Sequence, residues 1–374
     1  MTAAVIGAAA AAQSDPVFPS AIRWSVEIPS AAAWPPVVGG GVVVVATLSG
    51  QVLAKRAEGG MDAWTVEMAA AAPLAADDDL VLVPVEGAVH ALALGSGERR
   101  WTVETAGLTA PPLIDGGWVI LAAGEQLTAL SAADGDEVWT ARLALVERRP
   151  AFHGGLLLVP LADGRLVGLD LESGSLRWET VVGANPTEPF PFGDRVYLGV
   201  AGVLFTCLRT DTGSEEWTAR LGAGLRGTAA ADPDRIYTVS MDNLLRAFRR
   251  SNGAVEWKQD LGYRPLSGPI VIGPTIAVPG RGAAIRMFTR TGGTAAALAL
   301  PASAVTAPGV VRPRAARAAD VAGEARTALA IVTGDPGKPY RLSFTGPPLP
   351  ALPAVTPLSV LPGEALPPMA PPGR

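Results

Sequence analysis

The sequence predicts an all-β protein built from one repeated unit, and three observations predict it. Tryptophan returns at Trp24, Trp64, Trp101, Trp139, Trp178, Trp217 and Trp257, with successive gaps of 40, 37, 38, 39, 39 and 40 residues. The segments between tryptophans are pairs of short apolar runs broken by Gly, Asp or Asn, with the period-two alternation of hairpins. Glycine (43) and proline (34) are both abundant in 374 residues, which disfavours long helices and favours short strands joined by turns.

A fixed period in this range means that each repeat is one supersecondary unit. "GVVVVATLSGQVLAKRA" (41–57), "RVYLGVAGVLFTCL" (195–208) and "RIYTVSMDNLLRAF" (235–248) each read as two strands around a tight turn. The i, i+3, i+4, i+7 pattern that a helical repeat of similar period needs fits none of the units. Four strands of about five residues fill a repeat of this size, which is one blade of a β-propeller. Gly60, Gly97, Gly135, Gly174, Gly213 and Gly253 each stand four residues before a tryptophan. There they supply the positive φ of the turn into the last strand of the blade. The tryptophan then lies on that outer strand, where a large flat ring wedges between neighbouring blades.

Blade number follows from the two ends of the array. "IRMFTRTGGTAAAL" (285–298) is a degenerate seventh unit with Ala297 in the tryptophan slot, and "ALAIVTGDPGKPYRLSF" (328–344) supplies strands of an eighth. The strand missing from that eighth unit is available in "AIRWSVEI" (21–28). The expected fold is therefore an eight-bladed β-propeller of four-stranded antiparallel blades, closed by an N-terminal strand so that no sheet edge stays open; seven blades is the alternative. Residues 20–345 form the propeller. Residues 1–19 read as a signal-like leader, whose small apolar run ends in an A-x-A-like site as an export signal does, or as a disordered alanine-rich leader. Residues 346–374 carry ten prolines and read as polyproline II or disorder, a tail that either docks an aromatic groove on a partner or is simply solvated or draped over the surface.

Counting back from each tryptophan gives a longer motif, small-x5-Gly-x3-Trp. It runs through Ala54…Gly60…Trp64, Ala91…Gly97…Trp101, Ala129…Gly135…Trp139, Gly168…Gly174…Trp178, Cys207…Gly213…Trp217 and Ala247…Gly253…Trp257. This resembles the tryptophan-docking motif of PQQ-like, quinoprotein-type propeller repeats. The resemblance implies that each ring packs between the small residue of its own repeat and the glycine peptide of a neighbour. WD40 repeats share the period, but the chain has no Trp-Asp dipeptide.

Two functional classes follow from the resemblance. One is the BamB-like outer-membrane assembly factors, which are exported eight-bladed scaffolds that bind the β-barrel insertase in the cell envelope. The other is the quinoprotein alcohol dehydrogenases, which hold PQQ and Ca²⁺ in the funnel and carry a disulfide of adjacent cysteines. The chain has one cysteine, Cys207, in a docking motif, and two histidines, His90 and His153, without a catalytic partner. Asp77-Asp78-Asp79 reads as a solvated turn, because one loop cannot supply the about six to eight oxygens that calcium takes. No P-loop, nucleophile elbow or HExxH is present. The expectation is a non-catalytic, periplasmic or outer-membrane-associated scaffold without cofactor or metal. The alternative is a small PQQ- or ligand-binding propeller that is enzymatic together with a partner.

A net charge of −5 gives no electrostatic ground for a nucleic-acid partner, and no apolar run reaches the length of a transmembrane helix. The expected partner is an envelope protein, and the β-barrel assembly machinery is the candidate that the resemblance supplies. "LALVERRPAF" (143–152) offers the candidate contact set, Leu145, Glu147, Arg148 and Arg149, because arginine beside exposed aliphatics is the composition of an interface hot spot. The plain alternative there is a solvated charged connection.

Overall fold

The computed structural model describes residues 22–105, 107–295, 297–304, 306–311, 328–335 and 338–345. Both the leader and the proline-rich tail lie outside these residues. The described residues form eight four-stranded antiparallel sheets and no helix. Each of the first seven blades runs outward in chain order, so its strands are joined by tight turns. In blade 4 these are Ala151–His153, Leu156–Pro160, Arg165–Asp170 and Leu176–Val181. Blade 8 is assembled from both ends of the chain: Gly309–Val311, Ala328–Thr333 and Tyr340–Thr345 from the C-terminal side, and Trp24–Ile28 outermost. The closing strand pairs Trp24 with Phe344 and Ile28 with Tyr340, and the two aromatic rings stack 5.5 Å apart. Arg341 reinforces the seam by donating from Nε to Ser25 Oγ at 3.0 Å and from Nη2 to Ser25 O at 3.0 Å.

The core is divided among the blade–blade contacts. Eight apolar clusters occur, each drawing on two adjacent blades. This explains why middle strands such as Val42–Ala46, buried at every position, read as unbroken apolar runs. Both faces of each sheet meet a neighbour, so Leu157 and Val159 pack toward blade 3 while Leu158 packs toward blade 5. Outer strands instead bury one ring in an otherwise exposed segment. Arg99–Glu104, Glu137–Arg142, Leu176–Val181 and Glu215–Arg220 share a single pattern with the tryptophan as the buried position.

Each of the seven periodic tryptophans faces a residue of its own blade, the small residue of the motif for all but Trp24, which faces Phe344; Trp139 lies opposite Ala129 and Trp217 opposite Cys207. The ring presses on the glycine of the next blade: Trp24 on Gly60, Trp64 on Gly97, Trp101 on Gly135, Trp139 on Gly174, Trp178 on Gly213 and Trp217 on Gly253. A seventh ring, Trp257, presses on Gly292. All seven indole N–H groups donate to a carbonyl of that same turn, at 2.7 to 2.9 Å. A buried indole thus keeps its one donor satisfied while its ring seals the interface.

The contact between blades 7 and 8 is the exception, and topology explains it. A blade-7 ring would dock on the turn between the third and outer strands of blade 8. No chain makes that turn, because the outer strand of blade 8 comes from the other end of the molecule. The cluster at this contact contains no aromatic residue, and Ile22 packs against it. One expectation is corrected here. The blade-7 turn is a residue shorter than its neighbour's: Thr289 N donates to Gly293 O, where Arg249 N donates to Ala254 O in blade 6. With Ala284 opposite Ala299 and Ile285 opposite Leu298, Ala297 lies one position past the tryptophan slot, and it is exposed.

Candidate interaction surface at the blade 3–4 connection

Strand alternation gives the ring two unlike faces. One carries the first-to-second and third-to-fourth turns of the first seven blades. The other carries the second-to-third turns and the connections that lead from each outer strand to the next inner strand. Residues 143–150 are the connection from Glu137–Arg142 in blade 3 to Ala151–His153 in blade 4. Val146 anchors it: the side chain is fully buried, its N–H donates to Gly124 O, and its carbonyl accepts from Thr109 Oγ1 at 2.6 Å. Leu143 N donates to Glu125 O, and Leu145 O accepts from Ala162 N. These bonds fix the path of the connection over the top of the blade.

The four candidate residues divide on this frame. Glu147 and Arg148 are exposed, and Leu145 is half-buried. Arg149 departs from the expected surface set. Its side chain points into the protein, its Nε is buried without a hydrogen-bond partner, and no ion pair reaches it among the described residues. Burial disfavours its charged form, and the Glu188 carboxylate pushes the other way. A patch of Leu145, Glu147 and Arg148 is therefore what this connection offers to a partner.

The remaining chemistry-bearing residues serve the fold. Asp77 Oδ1 accepts from Asp79 N and Leu80 N, and Asp78 Oδ1 accepts from Gly40 N of blade 1. A Cβ at Gly39 would overlap the Asp77 carbonyl, so this acidic turn is a docking point between blades. A cleft of about 630 Å³ opens beside it, lined also by Arg100 and Asp115. Among the described residues no three Asp, Glu, His or Cys side chains converge as a cation would require. Cys207 is buried opposite Trp217, and burial pushes its thiol up to about 12, which suits packing rather than redox chemistry. His90 bonds Thr102 Oγ1, and burial lowers both its pKa and that of His153.

The sequence profile of the outer membrane protein assembly factor BamB matches residues 19–111, 50–189 and 182–334. The chain belongs to the BamB family. Two BamB proteins are similar in sequence: one from Alkalilimnicola ehrlichii, 33% identical over 125 residues, and one from Legionella pneumophila, 27% identical over 136 residues. These matches take in 30% and 33% of this chain and span only about a third (32% and 35%) of those relatives. The crystal structure of BamB from Moraxella catarrhalis superposes with a TM-score of 0.70 at 20% identity, over 87% of this chain and 99% of that one. Quinohemoprotein alcohol dehydrogenase from Comamonas testosteroni shares the fold at a TM-score of 0.67 and 13% identity, over 89% of this chain and 78% of that one.

Proposed function

We propose that this BamB-family propeller is a non-catalytic, exported scaffold in outer-membrane protein assembly. It works in the periplasm or at the outer membrane and docks a component of the β-barrel assembly machinery. The observation that carries the reading is the family match along residues 19–334. The exposed Glu147–Arg148 pair, held on a connection pinned by Val146, is the surface we assign to docking. Repeated residues here are packing residues, and the connections are what vary between blades, which is where a rigid scaffold carries recognition.

The test is capture of the purified periplasmic region of the cognate insertase by this chain. Replacing Glu147→Arg and Arg148→Glu together should weaken capture several-fold without lowering the melting temperature, since exposed charges matter more to association than to stability. Undiminished capture would remove the patch from the proposal. The likeness to a quinohemoprotein dehydrogenase supports a second reading, a PQQ-binding propeller. A saturable change in tryptophan fluorescence on adding PQQ with Ca²⁺, followed by dye reduction, would favour it over the scaffold.

A further inference from the structure

Arg149 stands at a defined place in the ring. It lies two residues before Ala151, the inner-strand residue paired with Leu158, and the same place can be read in every blade from the register. The equivalent residues are Pro35, Pro73, Pro111, Glu188, Thr228, Gly268 and Ala307. Six of the eight positions are uncharged. The two charged ones, Arg149 and Glu188, fall on adjacent blades whose inner strands touch. Both precede the innermost strand, so they stand where the connections turn down toward the axis.

Arg149 retains some access to solvent although protein surrounds nearly all of it. Its Nε is buried with no hydrogen-bond partner, and Glu188 lies outside ion-pair distance. A guanidinium presents five N–H donors in a rigid fork, and leaving such donors unmet in a desolvated place is unfavourable. A planar oxyanion accepting two parallel N–H bonds would satisfy the fork. The nearby Glu188 carboxylate repels anions, and it penalises a dianion more than a monoanion.

We propose that Arg149 is a carboxylate-binding point at the axial mouth of the propeller, taking one singly charged carboxylate from a small acid or from the C-terminus of an extended peptide. The site is independent of the exposed Glu147–Arg148 pair and stands whether or not that pair meets a partner.

The test follows the Arg149 Nε–H resonance in the full-length chain, assigned by its loss in Arg149→Gln. Acetate, the peptide Gly-Ser-Gly-Ala with a free terminal carboxylate and the same peptide as its amide are titrated at constant ionic strength. The expected result is a saturable shift with the free-carboxylate peptide and none with the amide. A matching shift with acetate identifies small acids as sufficient, and a shift with the peptide alone identifies a chain terminus. Glu188→Gln should tighten binding several-fold by removing the competing negative charge, an effect opposite to that of breaking a purely structural pair. The proposal is overturned by absence of saturation with every probe, by equal response to acid and amide, by binding that survives in Arg149→Gln, or by inorganic phosphate outcompeting the carboxylates.

Discussion

The ring of Trp178 lies so close to Gly213 of the next blade that a Cβ there would stand 2.3 Å from its Cε3 atom. Thr180 Oγ1 closes the same contact by donating to Gly213 O at 2.7 Å. Gly213 also has a φ of 69°, so two constraints, one steric and one conformational, fall on one residue.

Gly213→Ala is therefore expected to destabilise by about 2–4 kcal/mol, combining left-handed strain with overpacking. Gly154→Ala is the control. Its φ is 58° but no atom lies within 4 Å of a Cβ there, so about 1 kcal/mol should be lost. Urea unfolding of both variants checks the difference, and equal losses would show that the ring contact contributes nothing.

Trp139→Ala removes a ring that is 8% exposed and packed between blades 3 and 4, and it should destabilise by about 3–5 kcal/mol. Trp139→Phe keeps most of the apolar contact but strands the Leu171 carbonyl that now accepts from the indole at 2.8 Å. That variant should lose about 1–3 kcal/mol, most of it the penalty of the unmet acceptor. Denaturant midpoints of the two variants give the comparison.

The fold was legible because its cement is periodic. Seven tryptophans and their glycines fixed the blade length, and the strand alternation of 21–28 identified the piece that closes the ring. Two details were hidden for physical reasons. In "TGGTAAAL" three consecutive alanines carry no register mark, so a turn shortened by one residue cannot be seen in the letters, and Ala297 was placed one position wrong. In "VERRP" the chain follows neither the period of a strand nor that of a helix. Whether an arginine points outward depends on where Val146 is pinned, by bonds to Gly124 and Thr109 that lie far away in sequence. The two arginines look alike in sequence and face different surroundings in the structure.

Acid should loosen blade 4 through Asp170. Arg177 first, and then Ser173, hold its carboxyl down to about 2 in the fold, against an unfolded value near ~4. A depressed folded pKa contributes stability that is complete above the unfolded value and is lost as pH falls through the folded one. The window is thus about pH 4 down to about pH 2. An NMR titration of Asp170 in the Arg177→Gln variant should show its pKa moving back up. An unchanged value would assign the shift to Ser173 and the turn backbone alone.

Starting the chain at residue 30 removes Trp24–Ile28, which exposes the edge of Tyr340–Thr345 and unseats Trp24 from Gly60. An open, largely apolar edge is a template for pairing with another chain. The shortened protein should melt lower and self-associate, as read by light scattering. A monomer with an unchanged melting temperature would show that the seam is dispensable.

Arg148 and Arg149 should respond differently to the same substitution. Arg148→Glu changes an exposed charge and is expected to move stability by no more than about 0.5 kcal/mol. Arg149→Glu places a second carboxylate near Glu188 in an enclosed setting where water screens the repulsion poorly, and it should lose roughly 1–3 kcal/mol. Adding Glu188→Gln to Arg149→Glu relieves the like-charge contact, so part of the loss should return, a coupling that a double-mutant cycle measures directly. If Arg149→Glu is as silent as Arg148→Glu, the side chain faces open solvent, and both its enclosed setting and the proposed carboxylate site are lost together.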